Sequence, residues 1–559
     1  MFVTLVVLLV RTLYQSFAST GSPMAARAPQ RLANTDVNPY GANFFLAREV
    51  EPWKLDKTLH MASDAGIGWV KQQFSWESIE PLRKGEFLEP TAKTDSWAKY
   101  DQIVAACEKY DLRIVARLDR PPDWTRQDNT YKERPPDDYE DYGDFVYAFV
   151  KHYEGRIDYI QIWNEPNIFP EWGNQAVDPA AYVDLLKVAY RRAKEANPNV
   201  YVLSAPLAIT LGQAHPEPNK WIAMDDLSFL EGMYAAGAAD YFDIYSANAF
   251  GMDLPPEDPP APETLNFQRV LLQRKIMERY GDGDKAVWFN EYGWNAAPES
   301  FPADQLIWKR VTEKQQADYT LQGIKMAQEE WPWSGVFMIW YFRQVGNISP
   351  ERSDYYFRMV DPDFTPRPLY FAVQDVAGGQ DAILPGVYEE TNPNVKTLGH
   401  WRNVIDKWAS GQAYIRSEVK GDSVTFTFTG PGIDLITRKG PGAGRFLVAL
   451  DGHSVSGLST NAQGATYVDL YDPTLRDRAR VPLVRNAGSR EHTLRLTVDG
   501  DRHERATGNA CALDAFVIVI KEDKAFPVIP LIAILLGLAF DTWLLWHDWR
   551  RLRWVIRAP

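Results

Sequence analysis

The sequence has few cysteines and few histidines, and it lacks an excess of positive charge. Its two cysteines, Cys107 and Cys511, are too few for a disulfide framework and lie far apart, so we expect two unpaired thiols. The eight histidines and two cysteines show no spacing typical of a metal site, and we expect neither a metal nor another cofactor. A net charge of −14 argues against a nucleic-acid partner, because phosphates need a basic face.

The chain also lacks a glycine-rich phosphate loop after its first predicted strand, which counts against a doubly wound open sheet. Instead, strand-like and helix-like runs alternate through residues 38–382. Eight such strands separated by amphipathic segments predict an α/β fold, a (β/α)8 TIM barrel. The predicted strands are residues 40–45, 69–74, 114–118, 159–163, 201–204, 242–247, 286–290 and 336–341.

The pattern changes after the predicted barrel. Residues 424–428, 446–450 and 492–498 alternate apolar and polar side chains at period two, and glycine-containing turns separate such runs. This pattern is typical of antiparallel strands with one buried face. Residues 383–521 are therefore predicted to form an all-β sandwich.

Both ends of the chain indicate a membrane. Residues 1–37 contain an apolar run at 2–10, long enough for a signal-peptide core, followed by a segment that we expect to be disordered. Residues 525–546 are almost wholly apolar and long enough to span a bilayer, with a buried core helix as the alternative. The arginine-rich residues 547–559 predict a cytoplasmic tail and an extracellular barrel, so we expect a single-pass protein of the cell membrane.

Two predicted strands end in a carboxylate. Residues 160–163 form an apolar run that leads to Glu165, and residues 287–289 form another that leads to Glu291. The carboxyl ends of barrel strands line one face, where sites are built, so the two carboxylates are expected at the same opening. Such a pair, one acid and one nucleophile or base, is what cleavage of a glycosidic bond requires.

These motifs resemble clan A glycoside hydrolases, whose acid/base and nucleophile follow the fourth and seventh strands. Asn164-Glu165-Pro166 and Glu291 carry the resemblance, and residues 76–81, 85–87, 100–101 and 121–124 are similar to β-xylosidase-like and cellulase-like members. The resemblance implies that Glu165 is the acid/base and Glu291 the nucleophile. It also implies that Asn164 binds the sugar 2-hydroxyl and that Trp340 forms the floor beneath the reacting sugar.

The chain departs from that family at the sixth strand. Many members carry His-x-Tyr there, whereas this chain has Asn248-Ala249-Phe250, so a hydroxyl partner of Glu291 has to come from Tyr245, Tyr292 or elsewhere. Asn248 and Tyr245 are candidate substrate-binding residues. Two further candidates are Arg117, at the end of the third strand, and Trp124, in the loop after it.

The residues predict a membrane-anchored, extracellular, retaining glycoside hydrolase that acts on a β-linked oligo- or polysaccharide. A catalytically silent carbohydrate-binding or adhesion protein on the same barrel is one alternative, and a transglycosylase is another. The sandwich resembles galactose-binding-like or carbohydrate-binding modules around residues 428–435 and 448–452. A role as a structural spacer is the alternative for this domain.

Overall fold

The computed structural model describes residues 32–214, 221–346, 349–377, 386–485, 487–488, 490–519, 536–547 and 549. They include a parallel barrel and a C-terminal β domain, as the sequence predicted. The apolar run at residues 2–10 lies outside the described residues.

Eight parallel strands form the barrel, in the sheet order β5-β4-β3-β2-β1-β8-β7-β6. A parallel bridge between Leu203 and Ile244 joins β5 to β6 and closes the ring. Two short antiparallel strands, Gln213–Ala214 and Trp221–Ala223, follow β5. The barrel strands are β1 (Tyr40–Phe44), β2 (Trp69–Ser75), β3 (Arg113–Asp119), β4 (Tyr159–Ile162), β5 (Tyr201–Leu203), β6 (Tyr245–Phe250), β7 (Val287–Gly293) and β8 (Ser334–Ile339).

Helices separate the strands, and several begin at side chains that satisfy free backbone N–H groups. The carboxylates of Asp138, Asp178 and Asp225 each accept such a bond, and Thr312 forms a capping box with Gln315. The helices are α1 (Pro52–Asp64), α2 (Trp76–Ile79), α3 (Ala98–Lys109), α4 (Tyr139–His152), α5 (Pro179–Ala196), α6 (Asp226–Ala235), α7 (Val270–Arg279), α8 (Glu313–Glu330) and α9 (Pro368–Ala377).

The sixth strand differs from its prediction. It was expected at residues 242–247 but runs from Tyr245 to Phe250, because a short 3-10 helix, Ala238–Tyr241, is followed by Phe242 before the strand begins. Phe242 is still buried, so its apolar side chain serves the core without belonging to the strand. The shift extends β6 to Asn248 and beyond, toward the carboxyl end of the barrel.

In the described part of the β domain, fourteen strands form sheets of four, seven and three. Buried Phe426, Phe446, Leu494 and Phe516 are part of a core that lines the inner faces. Its strands are β9 (Val387–Glu389), β10 (Val395–Leu398), β11 (Arg402–Ile405), β12 (Ala413–Ser417), β13 (Ser423–Thr429), β14 (Gly432–Lys439), β15 (Arg445–Leu450), β16 (His453–Ser454), β17 (Ser459–Thr460), β18 (Thr466–Asp469), β19 (Arg476–Val484), β20 (Glu491–Val498), β21 (Cys511–Leu513) and β22 (Ala515–Val519).

The β domain is attached to the amino-terminal face of the barrel. Asp36, just before β1, accepts hydrogen bonds from the Glu389 N–H at 2.9 Å and from Asn392 at 3.1 Å. Asn199, just before β5, accepts one from the Ile405 N–H at 3.1 Å. Active sites of barrels lie on the opposite, carboxyl-terminal face. The β domain therefore supports the closed end of the barrel and does not line the opening.

The predicted membrane span at residues 525–546 is described only in its second half, where residues 536–546 are helical. Across the described ranges, we find no helix that is both long and apolar enough to cross a bilayer.

Candidate active site

Glu165 occupies a constrained turn at the carboxyl end of β4. Trp163 and Glu165 both have left-handed backbone conformations, with φ of 71° and 39°, which is unusual for residues other than glycine. The Glu165 N–H donates to the Pro206 carbonyl at 3.0 Å, and Asn248 Nδ2 donates to Glu165 Oε1 at 2.6 Å. These contacts hold the carboxylate at the barrel mouth, and such strain concentrates at functional sites.

The environment of Glu165 favours its protonated form. Burial and the negative charges of Glu291 and Glu171 raise its pKa to about 8, against the opposing effects of Asn248 and Arg117. Glu165 is thus held as a carboxylic acid at neutral pH.

Glu291 is buried in β7, beside Asn248 of the neighbouring strand β6. The strand register shifts between Ala247 and Asn248, so that Asn248 pairs with Glu291. Asn248 therefore lies next to one carboxylate through the backbone register and binds the other, Glu165, through its side chain. The structure thus brings both predicted catalytic carboxylates and Asn248 together at the mouth of the barrel.

A buried lysine inside the barrel contacts Glu291. Lys71 Nζ lies 3.3 Å from Glu291 Oε1, and it also donates a short hydrogen bond to the side-chain oxygen of Asn290. Asn290 in turn donates to Gln161 Oε1 at 2.6 Å, and Asn43 donates to the Asn290 carbonyl at 3.1 Å. This polar network connects β1, β2, β4 and β7 beneath the carboxylates and fixes the position of the lysine.

Opposing effects act on the pKa of the Lys71 ammonium group. Burial lowers its pKa to about 8, although the charges of Glu291 and Glu165 act in the opposite direction. At neutral pH the lysine is therefore a cation beside Glu291. A buried charge of this kind is stable only with partners, which Glu291 and Asn290 supply.

Trp340 follows β8 and lies at the edge of the same opening. The backbone N–H of Trp340 donates to the Tyr292 carbonyl at 2.9 Å. The Trp340 ring contacts the Phe45 ring edge-to-face, with 5.9 Å between the ring centres. The peptide bond between Trp340 and Tyr341 is cis. The Trp340 ring is half-buried. Trp340 Nε1, Asn164 Oδ1 and Asn248 Oδ1 are among the buried side-chain atoms of the described residues that have no hydrogen-bond partner.

Arg117 is engaged within a cluster of charges next to the carboxylates. It makes a short ion pair with Asp119 and lies 3.8 Å from Glu171 Oε2. Although burial acts to lower its pKa, the carboxylates of Asp119, Glu171 and Glu291 hold the pKa above its ordinary value. Asn164 Nδ2 lies 3.4 Å from Glu171 Oε2, so Glu171 connects Arg117 to the residue before Glu165.

Several other candidate residues are occupied elsewhere. Tyr245 is fully buried at the start of β6, where its hydroxyl donates to Gln273 at 3.4 Å, and Tyr292 donates to the Thr320 carbonyl at 2.7 Å. Neither hydroxyl is bound to Glu291. Trp124 packs edge-to-face on Trp76 and is only half-buried. Its indole N–H donates to the Glu80 carbonyl at 2.9 Å, which ties the ring to the segment that follows α2.

The sequence motifs did not point to Lys71 and Glu171, which complete the cluster. One signal for Lys71 was available, since a lysine inside an otherwise buried strand, between Val70 and Phe74, has to be paired within the barrel. Glu171 lies in an irregular loop, where the sequence pattern does not tell which side chains turn back toward the opening.

No family model matches the chain, and no curated protein matches it. Solved structures of similar fold include a family 39 glycoside hydrolase from Bacteroides cellulosilyticus, at 18% identity over 82% of this chain and 81% of that one, with a TM-score of 0.45. A family 39 enzyme from Xanthomonas axonopodis pv. citri is 14% identical over 84% of this chain and 96% of that chain, with a TM-score of 0.45. A β-xylosidase from Caulobacter crescentus is 15% identical over 84% and 98%, with a TM-score of 0.43.

These neighbours are named as glycoside hydrolases, the class that the strand-end motifs resemble.

Proposed function

We propose that this chain is a retaining glycoside hydrolase that cleaves β-linked oligo- or polysaccharides. One observation carries the proposal: two carboxylates at one barrel mouth have opposite environments. Burial and neighbouring negative charge raise the pKa of Glu165 to about 8, whereas Glu291 is in contact with the Lys71 ammonium group. A protonated acid beside a charged carboxylate is the pair that glycosidic cleavage needs.

In the first step, the Glu165 carboxylic acid donates its proton to the glycosidic oxygen. A Glu291 carboxylate oxygen attacks the anomeric carbon, the bond to the leaving group breaks, and the leaving sugar departs as an alcohol. The products are a covalent glycosyl–Glu291 ester and a Glu165 carboxylate. Removing the charge of Glu291 in this ester also removes one cause of the raised pKa of Glu165, which favours its new charged form.

In the second step, Glu165 acts as a base. It takes a proton from a water molecule, whose oxygen attacks the anomeric carbon and displaces Glu291 as a carboxylate. The sugar is released with its original anomeric configuration, and Glu165 is again protonated. Asn248 supports both steps, because its side chain binds Glu165 while its backbone pairs with Glu291.

The residues around the pair suit a sugar. The Trp340 ring provides a flat apolar surface at the opening, and Asn164 and Asn248 each offer a buried carbonyl oxygen without a protein partner in the described structure. Sugar rings bury an apolar face on aromatic side chains and donate their hydroxyls to such oxygens. We place the reacting sugar between Trp340 and the two carboxylates.

We also propose that residues 525–546 anchor the protein in the cell membrane, with the barrel outside. The support is the length and apolar character of this segment and the arginines of residues 547–559. Protease added to intact cells should digest the barrel and spare the tail. A barrel protected from protease in intact cells would rule out this topology.

The retaining mechanism is tested by the configuration of the first product. The protein is incubated with a panel of aryl β-glycosides and β-linked oligosaccharides, and the anomer released is observed by NMR before it equilibrates. We expect the β-anomer to appear first. An initial α-anomer would show inversion, and binding of sugars without any turnover would indicate a silent carbohydrate-binding protein.

A further inference from the structure

A strongly basic edge stands out on the β domain of an otherwise acidic protein. The strand β19 ends the order of the four-stranded sheet, which runs β9-β22-β14-β19. Between residues 472 and 485, four arginines outnumber two aspartates. Arg476, Arg478 and Arg480 occupy every second position of β19 and are all exposed.

This edge borders a surface groove of about 620 Å³, which we call the basic groove. Its lining includes Lys439 of β14 and Arg476 and Arg480 of β19, together with the carboxylates of Asp472 and Asp477. Some cations are paired: Arg476 Nε lies 3.0 Å from Asp472, and Arg480 binds Asp434. In the described structure, Lys439 makes no ion pair, and the three cations that line the groove exceed its two carboxylates by one charge.

An exposed tryptophan is bonded to the strand that borders the basic groove. Trp408 is 61% exposed, so its ring is open to a ligand. Its backbone carbonyl accepts a hydrogen bond from Arg478 Nε at 2.7 Å, and the ammonium group of Lys407 lies 5.0 Å from its ring centre. The aromatic surface and the cations are thus held together by a direct bond between the loop and β19.

Charges on an edge strand also have a simpler role, since they prevent another strand from pairing with it. That role accounts for the arginines, but it does not account for an exposed tryptophan joined to one of them. Nor does it require a groove in which Lys439 of the inner strand β14 takes part. An aromatic surface beside an unpaired lysine and several arginines matches a ligand with flat apolar faces and negative charges.

We propose that the basic groove binds an acidic polysaccharide, with a sugar ring against Trp408 and carboxylate or sulfate groups against Lys439 and the arginines. Binding here is independent of cleavage at the barrel mouth. The opposite edge of the sheet, β9, contacts Asp36 of the barrel through Glu389, so the groove lies on the edge away from that contact. The β domain would thereby bind the protein to an acidic glycan while the barrel cleaves its own substrate.

Affinity electrophoresis of the full chain in detergent tests this site. Gels contain polygalacturonate, dextran sulfate or neutral dextran, and the Glu291→Gln background prevents cleavage during the run. We expect retardation by the acidic polymers and none by dextran, weakening as salt is added because salt screens the charges. No retardation by either acidic polymer, or equal retardation by dextran, would overturn the proposal.

Variants locate the site. We expect the double variant Lys439→Gln/Arg476→Gln to bind about tenfold more weakly, through the loss of two charge-assisted contacts, and Trp408→Ala to weaken binding as well. The matched control is Arg490→Gln/Arg502→Gln, which removes the same charge from exposed positions of the same domain. An equal loss of binding in the control would show that net charge alone explains the result and would contradict a specific site. Binding to anionic lipid vesicles but to neither polymer would assign the groove to the membrane surface.

Discussion

The ammonium group of Lys71 lies 3.3 Å from Oε1 of Glu291, and both side chains are buried inside the barrel. The sequence left open which group supports Glu291, given that Asn248-Ala249-Phe250 stands where many clan A enzymes carry His-x-Tyr. Tyr245 and Tyr292 donate to other acceptors, and the support comes from a cation on β2. The neighbour of Glu291 is thus a charge rather than a hydroxyl.

Replacing Lys71 with Met should lower kcat on the order of 10- to 100-fold, because Glu291 loses the partner that orients it. KM should change little, since Lys71 is not placed to touch the substrate. Lys71→Arg, which keeps the charge, should retain more activity. An unchanged kcat in a folded Lys71→Met variant would contradict this role.

The two carboxylates should respond differently to substitution. Glu291→Ala should abolish turnover of every substrate, because no covalent intermediate forms. Glu165→Ala should mainly slow substrates with poor leaving groups, since an activated aryl glycoside needs little help from an acid. The comparison uses kcat/KM for a series of aryl glycosides with leaving groups of different pKa. An equal loss across the series would contradict the assignment of Glu165 as the acid.

Activity should fall on the alkaline side as Glu165 loses its proton. Because burial and the charge of Glu291 raise its pKa to about 8, we expect the basic limb of kcat/KM near pH 8. The Lys71 ammonium group, whose pKa burial lowers to about 8, loses its proton over the same range. Asn248→Ala removes a donor that stabilises the charged form of Glu165, so its basic limb should move upward. An unchanged basic limb would show that Asn248 does not affect the pKa of Glu165.

The same proton links stability to pH. The pKa of Glu165 in the folded protein, about 8, is above its ordinary value of 4.5, so between these values the folded state binds a proton that the unfolded chain has lost. This contribution to stability is present below pH 4.5 and is lost as the pH rises through 8. Glu165→Gln, which stays neutral, should therefore gain in Tm relative to the parent protein between pH 5 and pH 9. A Tm difference independent of pH would contradict the raised pKa.

Trp340→Ala should lower kcat/KM about tenfold or more, because the reacting sugar loses an apolar surface worth roughly 1.4 kcal/mol or more. Its Nε1 atom would be lost with the ring, so Trp340→Phe helps to separate stacking from hydrogen bonding. Phe should restore most of the activity if the flat ring is what matters. Parent-like kinetics in a well-folded Ala variant would show that Trp340 packs against Phe45 and does not stack on the sugar.

The barrel could be predicted from sequence because its strands and helices repeat a strong local pattern. Helix α5 has clear local signals in the sequence, since Asp178 caps it and Pro179 occupies its first turn. The sixth strand was misplaced by about three residues, because Phe242 is apolar whether it lies in a strand or beside one. Helix α6 (Asp226–Ala235) has only a weak amphipathic pattern, so the sequence gives little sign of it.

Within the site, the sequence showed which carboxylates end which strands, but not what surrounds them. Glu165 and Glu291 meet because strand ends converge in a closed barrel, which the topology implies. The partners Asn248, Lys71 and Glu171 depend on side-chain directions, a register shift in β6 and the path of the loop after β4. These are tertiary features without a local signature, and they determine the proton affinities on which the proposed chemistry rests.

The attachment of the β domain to the closed end of the barrel affects how the protein can be divided. Ile405 packs against an aromatic layer of Trp69, Tyr159, Tyr201 and Trp288 that plugs this end. A barrel produced alone would expose that layer and would leave Asp36 without Glu389 and Asn392. We therefore expect the two domains to melt in a single cooperative transition, so that neither half can be exchanged for another module without redesigning the surface between them.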